Sequence, residues 1–252
     1  MAPKPTSVLN FKGGTGKTSC SINLAHALAL KGERVLLIDC DLQGNSGSII
    51  PPDMRGDISL TQVLKGQAQF EDAIYPARDN LDILPSDTNL DTAANHITAT
   101  GARAFYILRN AIKHLNKPYT RIIFDHSPSY SPITEAALLA SNNMLIPCEL
   151  APFAVTGLLE MINKLTETLD GLDHEVGITG IVPFKLDQRY SMTGKYLASL
   201  KNRFEDLIIH PVRTDSTISR AQSVQKTVFE YDPQSKAAED FDILANIMIG
   251  GQ

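Results

Sequence analysis

A glycine-rich stretch near the N-terminus constrains the fold of this chain most strongly. Residues 12–18 read Lys-Gly-Gly-Thr-Gly-Lys-Thr, and they lie between a short apolar strand, Val8-Leu9-Asn10, and an apolar helical segment, Thr18–Leu30. Glycines let backbone N–H groups approach an anion closely, and a helix N-terminus adds partial positive charge. A strand, a glycine-rich loop and a helix in this order predict a phosphate-binding loop.

The loop departs from the standard pattern G-x-x-x-x-G-K-[S/T] at its first glycine, which is replaced by Phe11. We expect Lys17 to reach the β- and γ-phosphates of a nucleotide and the Thr18 hydroxyl to bind Mg²⁺. Lys12 is a second lysine in the same loop, and it needs another role because Lys17 already serves the local phosphates. The other predicted nucleotide contacts are Gly13, Gly14, Thr15, Gly16 and Ser19.

Short apolar runs alternate with longer helical segments along the chain. The runs are Val35–Ile38, Leu81–Leu84, Ile122–Phe124, Met144–Ile146, Ile178–Val182 and Leu207–Ile209. The later helical segments are Gly101–Leu115, Ile133–Ala140, Val155–Leu169 and Gly194–Phe204. This alternation predicts an α/β fold with a mostly parallel, twisted sheet and helices on both faces. We expect residues 1–252 to form one domain, with Pro51–Ala68 as a surface excursion from it.

Two of the apolar runs end in acidic residues. Asp39 and Asp41 follow the first of these runs, and Asp125 follows the second. Since ligands bind at the carboxyl ends of parallel strands, we expect the three carboxylates near the phosphate-binding loop. Asp125 has the Walker B position, where an acid holds Mg²⁺ through water. His126 is predicted to be a loop or packing residue, because phosphoryl transfer needs no imidazole.

Residues 12–18 resemble the signature of the deviant Walker A ATPases, which include the ParA/Soj partition ATPases, MinD and the nitrogenase iron protein. The resemblance implies a P-loop NTPase fold that hydrolyses ATP with Mg²⁺ as a nucleotide-sandwich dimer. It gives Lys12 a contact with phosphates bound by the partner subunit. Residues 39–45 are similar to the family form D-x-D-P-Q-G-N, with Leu42 replacing proline. That likeness implies that Asp41 positions the attacking water and that Asp39 lies near the metal and Lys17.

The segment Tyr231–Ala238 is similar to the Y-D-P-x-S-x-[GA]-A ending of the ParA/Soj branch. This implies an ATPase that binds DNA without sequence preference and positions a plasmid, a chromosome or another cargo. A ParB-like or other cargo adaptor would stimulate hydrolysis. Arg189 matches a DNA-contacting arginine of chromosomal ParA proteins, and a second one is replaced by Thr217, for which Arg220 could substitute. Val182-Pro183-Phe184 and Pro211-Val212-Arg213 end later strands and are expected to flank the adenine, with Pro183 and Pro211 as the assigned contacts.

The charge of the chain is uneven. The whole chain has a formal charge of −5, whereas residues 185–236 contain nine Lys or Arg and six Asp or Glu, a net of +3. A basic surface on an acidic protein suits contacts with DNA phosphates. Ordinary solvated helix faces would give the same charge count, so this alternative stays open.

Three other classes of protein share parts of this pattern. A MinD-like membrane-associated positioning ATPase would carry a basic amphipathic tail, but residues 241–248 contain no Lys or Arg and are predicted to pack as a core helix. An iron–sulfur reductase needs cluster ligands, and Cys20, Cys40 and Cys148 lack that spacing. A metabolic P-loop ligase is disfavoured by the Tyr-Asp-Pro ending. We therefore expect a cytoplasmic, nucleoid-associated protein with three buried cysteines and no membrane association.

Overall fold

Eight strands form one sheet in the computed structural model, which describes residues 3–186 and 191–250. The strands are β1 (Lys4–Val8), β2 (Val35–Cys40), β3 (Tyr75–Arg78), β4 (Leu81–Leu84), β5 (Arg121–His126), β6 (Asn143–Glu149), β7 (Gly177–Leu186) and β8 (Val212–Arg213). Their order across the sheet is β3-β4-β2-β5-β1-β6-β7-β8. All neighbouring pairs are parallel except β3 and β4, so the predicted mostly parallel sheet is confirmed.

Helices cover both faces of the sheet, as predicted. They are α1 (Lys17–Leu30), α2 (Leu60–Leu64), α3 (Leu90–Thr100), α4 (Ile107–Lys113), α5 (Pro132–Leu139), α6 (Ala154–Gly171), α7 (Ser191–Phe204), α8 (Ser216–Ser223), α9 (Val228–Tyr231) and α10 (Lys236–Gly250). Helices α1, α8, α9 and α10 share one buried cluster with the sheet. The other face is covered by α2 to α5 and, over β6 and β7, by α6 and α7.

Strand β2 shows how burial on two faces selects an apolar run. Val35 and Leu37 pack in the core with α1, whereas Leu36 and Ile38 pack in the opposite core. All four side chains are fully buried because successive residues of a strand point to opposite faces. The carboxyl end of this strand therefore lies between two layers of helices, so that Asp39 within the strand is fully buried and Asp41 follows directly after it.

The prediction of a surface excursion at Pro51–Ala68 is wrong for the part that forms α2. Leu60, Val63 and Leu64 of this helix are buried in the core beneath α3 and α5. A capping box starts the helix, since Ser59 accepts a hydrogen bond from the backbone of the first turn while the Gln62 side chain accepts one from Ser59 N. The proline and glycine residues of this segment flank the helix and do not interrupt it.

Two predicted elements near the C-terminal half differ in the structure. Leu207–Ile209 is not a strand: residues 205–207 form a 3₁₀ turn, and Ile208 makes one isolated bridge to Ile181. The edge strand of the sheet is β8, a few residues later. Residues 101–115, predicted as one helix, divide into a 3₁₀ turn at 102–106 and α4.

The last helix, α10, packs against α1 on one face of the sheet. Phe241, Leu244 and Ala245 are fully buried there, so the prediction of a core-packed terminal helix is confirmed. The three cysteines are buried thiols, also as predicted. Within the described residues, no helix combines the length and the apolar composition needed to cross a bilayer.

Candidate functional site

The glycine-rich loop connects β1 to α1 and is shaped by two glycines in the left-handed region. Gly14 has φ +73° and Gly16 has φ +91°, a conformation that side chains disfavour. A Cβ atom on Gly16 would also lie 2.6 Å from Phe184 Cε1, and closer still to Cδ1. Only glycine fits this position, because both the backbone angle and the neighbouring ring exclude a side chain.

The loop delivers positive charge to the N-terminus of α1. Gly16 is the N-cap residue and has no side chain to accept the first-turn N–H groups, which leaves them for an anion. Lys17 is buried, and its Nζ donates to Lys12 O at 3.2 Å. Burial lowers the pKa of Lys17, and the charges of Asp125 and Asp41 oppose that change. A phosphate bound here would supply the negative charge that favours the protonated lysine.

Two buried carboxylates lie side by side near the carboxyl ends of two adjacent interior strands, next to this loop. Asp39 on β2 and Asp125 on β5 are register partners, and both are fully buried. Burial, followed by the charge of Asp125, raises the pKa of Asp39 to about 8. Burial also raises the pKa of Asp125, against hydrogen bonds from hydroxyls of Ser46, Ser21 and Thr18. Two adjacent buried carboxylates favour a cation or a proton between them.

The chemistry of this pair fits Mg²⁺. Magnesium is held through one or two carboxylates together with waters and substrate phosphates, without a cage made only of protein ligands. In the part of the chain that the structure describes, no group of three or more His, Cys, Asp or Glu side chains could hold a metal ion. The predicted ligands Thr18, Asp39 and Asp125 lie together, since the Thr18 hydroxyl bonds Asp125 and Asp125 is the register partner of Asp39.

Asp39 also organises the loop that contains Asp41. Its Oδ1 accepts the N–H of Asp41 at 3.0 Å, and its Oδ2 accepts the N–H of Ser46 at 2.9 Å. The Asp41 carboxylate accepts the N–H of Gln43 and lies partly exposed at the site, close enough for its charge to act on Lys17. Asp39 therefore fixes the backbone of a loop that places Asp41 near Lys17.

Lys12 has a different environment from Lys17, as the sequence suggested. Its side chain is 55% exposed, and its Nζ lies 3.9 Å from Glu149 Oε2. The other oxygen of Glu149 bonds Lys185 Nζ at 2.9 Å. Ion pairs this exposed contribute little, about 0–1 kcal/mol, so Lys12 is held only weakly. Its charge is available to a second molecule that approaches this edge of the sheet.

A cavity of about 400 Å³ adjoins the loop beside Gly16 and Ser19. Phe184 at the end of β7, residues 213–216 and one side of α8 form its other walls. Pro183 and Pro211, the predicted base contacts, are not among the lining residues. Side chains alternate along β7, so Pro183 points away where Phe184 points in. Phe184 and residues 213–216, which come after the two prolines in the chain, line the cavity in their place.

The remaining residues discussed in the sequence analysis have definite positions or lie outside the described residues. Arg189 lies outside the described residues. Arg220 is exposed on α8, whereas Thr217, one turn earlier, is buried. His126 is buried and bonds Ser7 Oγ through Nε2 at 2.8 Å, on the sheet face opposite Asp125, so its predicted packing role is confirmed.

Sequence reasoning missed several polar groups of the site. Ser21 donates to Asp125 Oδ1 at 2.9 Å and Ser46 donates to Oδ2 at 2.6 Å. Ser21 lies three residues after Thr18 on α1, and this spacing places both hydroxyls on one helix face, which is a signal that could have found it. Glu149 gave no comparable signal, because it comes from a strand whose place in the sheet the sequence did not specify.

Comparisons with known proteins agree with this fold and identify the family. A family model described as an AAA domain matches residues 4–178. The chromosome partitioning protein ParA of Caulobacter vibrioides (strain NA1000 / CB15N) is 33% identical over 99% of this chain and 96% of that protein. The sporulation initiation inhibitor protein Soj of Bacillus subtilis (strain 168) is 32% identical over 96% of each chain. Among solved structures, an ATP complex of a variant of Cyanothece McdA has the same fold, with a TM-score of 0.84 at 23% identity over 100% of this chain and 98% of that one. The chain therefore belongs to the ParA/Soj family of P-loop ATPases.

Proposed function

We propose that this chain is a ParA-type positioning ATPase that binds ATP and Mg²⁺, dimerises around two nucleotides and then binds DNA without sequence preference. A ParB-like or other cargo adaptor stimulates hydrolysis and releases the subunits. The observation that carries the proposal is the contrast between two lysines of one loop. Lys17 is buried at the helix N-terminus, whereas Lys12 is exposed and weakly held.

In the proposed site, each group has a separate task. The first turn of α1 and Lys17 hold the phosphates, and the base lies in the cavity beside Phe184. Mg²⁺, bound near Thr18 and Asp125, would offset phosphate charge. Asp41 orients the attacking water, which matters more than basicity because phosphoryl transfer needs a positioned nucleophile. Lys12 reaches the partner subunit's nucleotide, so hydrolysis and assembly depend on each other.

The proposed DNA surface uses exposed cations of α7 and the α8 region. Two basic residues of the span 185–236 are engaged elsewhere: Lys185 bonds Glu149, and Arg213 bonds Asp240 and Glu239. The exposed members in the described part of the span include Lys195, Lys201, Arg203, Arg220 and Lys226. The other side of α8 lines the nucleotide cavity, so one short helix touches both the proposed base site and the proposed DNA surface. This supports DNA binding that depends on the bound nucleotide.

The deciding experiment measures binding to two unrelated duplexes with ATP or ADP across a salt series. We expect binding only with ATP, equal for both duplexes and falling steeply with salt. Arg220→Glu should weaken binding to both duplexes and reduce the salt slope, by about one for a lost phosphate contact. Lys113→Glu is the matched control, because it makes the same charge change at an exposed position of α4 and should bind like the wild type.

Other outcomes of this experiment point to other functions. Failure to bind DNA with ATP at low salt would refute the DNA part of the proposal. If Arg220→Glu and Lys113→Glu weaken DNA binding equally, the loss reflects the net charge of the protein, and Arg220 is not a DNA contact. ATP-dependent binding to anionic vesicles in place of DNA would favour a MinD-like protein. The cellular location proposed here, the cytoplasm at the nucleoid, requires that the protein bind DNA in the presence of ATP.

A further inference from the structure

Ser46 is a fully buried residue between the two carboxylates of the site. Its backbone N–H donates to Asp39 Oδ2 at 2.9 Å, and its hydroxyl donates to Asp125 Oδ2 at 2.6 Å. In residues 3–186 and 191–250, it is the one residue that donates a hydrogen bond to both carboxylates. The backbone bond fixes where the residue lies, and the hydroxyl adds a link that alanine at the same place would lack.

The two bonds close the loop that presents Asp41. The loop begins where Asp41 N–H bonds Asp39 Oδ1 and ends at Ser46, which bonds the other oxygen of Asp39. Within it, Gly44 N–H donates to Asp41 O and Gln43 N–H to the Asp41 carboxylate, both at 3.0 Å. These short-range hydrogen bonds make the loop a compact turn. A shift of Ser46 therefore also moves Asp41.

Ser21 provides an internal comparison for Ser46. Its hydroxyl donates to the other oxygen of Asp125, Oδ1, at 2.9 Å, and it is also fully buried. Ser21 belongs to α1, whose position does not depend on the loop. Both serines supply one hydroxyl to the same carboxylate, but only Ser46 connects that carboxylate to the segment that contains Asp41.

We propose that Ser46 is a positioning residue that couples Asp125, at the metal site, to the placement of Asp41. With Mg²⁺ present, Asp125 would be held in one position, and the Ser46 hydroxyl on Oδ2 would then hold the end of the loop and keep Asp41 directed at the phosphate site. Without the hydroxyl, Asp39 still closes the loop, but its position no longer follows the state of Asp125. The inference rests on the proposed Mg²⁺ and ATP site, and it is independent of DNA binding.

The test compares Ser46→Ala with Ser21→Ala at saturating Mg²⁺, where changes in metal affinity no longer matter. We expect Ser46→Ala to lower kcat by about 10- to 100-fold, the usual range for loss of a residue that orients a metal-site group. KM for ATP should change less than about threefold, and Ser21→Ala should lose much less kcat. Ser46→Thr keeps the hydroxyl and should retain most of the wild-type activity. Ser46→Val has nearly the shape of threonine but no hydroxyl, and it should be as slow as Ser46→Ala.

A second measurement does not depend on turnover. Amide hydrogen exchange of residues 41–48 is followed with a non-hydrolysable ATP analogue, with and without Mg²⁺. In the wild type and in Ser21→Ala, Mg²⁺ should slow exchange of this segment, and in Ser46→Ala that protection should be lost. Equal kcat for the two alanine variants, or unchanged protection in Ser46→Ala, would overturn the proposal. If the wild type itself binds no Mg²⁺–nucleotide, the proposed function fails first, and the two failures are distinct.

Discussion

Replacing Gly16 with alanine tests the geometry of the phosphate-binding loop through stability alone. Gly16 has φ +91° and ψ 17°, and a left-handed conformation destabilises a non-glycine residue by about 1–2 kcal/mol. The new Cβ would also lie 2.6 Å from Phe184 Cε1, about 1 Å inside ordinary carbon–carbon contact. Phe184 is buried and packs against Phe241, so its ring cannot move freely. Overpacking of this kind destabilises by about 1–3 kcal/mol.

The two effects together predict that Gly16→Ala lowers the free energy of unfolding by about 2–5 kcal/mol. Urea unfolding of the nucleotide-free protein measures this directly. Gly13→Ala is the matched control in the same loop, because a Cβ there meets no atom within 4 Å and the residue is not in the left-handed region. We expect that variant to lie within about 0.5 kcal/mol of the wild type, as other unstrained exposed substitutions do.

A double-mutant cycle separates the two causes. In a Phe184→Leu background the ring is absent, and Gly16→Ala should then be destabilising only by the backbone term, about 1–2 kcal/mol. The expected coupling between the two positions is about 1–3 kcal/mol. A loss below about 1 kcal/mol for Gly16→Ala, or the same loss in both backgrounds, would refute this account of the loop.

Three further predictions concern assembly, turnover and pH. Lys12→Gln should bind ATP within a few-fold of the wild type but remain monomeric, because the lost charge serves the partner's site; light scattering with ATP measures this, and normal dimers would reject the role. Asp41→Ala should bind ATP yet hydrolyse it at least about 100-fold more slowly, since the attacking water loses its orienting group; a phosphate-release assay that finds normal turnover would exclude Asp41 from the mechanism. Burial lowers the pKa of His26 below its ordinary value, so the unfolded chain takes up the proton first as pH falls. The stability that His26 contributes is therefore present above about pH 6.5 and lost below it. Between about pH 7.5 and 5.5, the free energy of unfolding should depend less on pH in His26→Gln than in the wild type. The control is His96→Gln, at an exposed histidine, which should show the same pH dependence as the wild type.

Local patterns in the chain were sufficient for the elements that build the site. The strand, loop and helix around residues 12–18 and the acids after two apolar runs were predicted from periodicity and residue type. They are found at one edge of a parallel sheet, because parallel strands bring their carboxyl ends together. The wrong predictions concern segments whose local sequence pattern is weak. Helix α2 is short and is flanked by prolines and glycines, which predict a loop. The edge strand β8 has only two residues, so it needs no long apolar run.

The partners of each site residue depend on contacts that no local pattern describes. Asp125 accepts hydroxyl donors from residues 79 and 104 positions away in the chain. Those contacts exist because β5 lies between β2 and β1, which places the loop after β2 and the helix after β1 on either side of one carboxylate. Strand order depends on how helices pack over both faces, and that is a property of the whole molecule.

The amino-acid sequence by itself predicted a phosphate-binding loop with Lys17 at the start of its helix, and a second lysine, Lys12, with a separate role. These properties follow from residue type and short-range geometry, which act within one turn of the chain. Only the tertiary structure decided that Lys12 meets Glu149, that Phe184 closes the loop against Gly16, and that Ser46 joins Asp39 to Asp125. Each of these depends on burial and on the order of strands, because side chains far apart in sequence meet only after the sheet has formed.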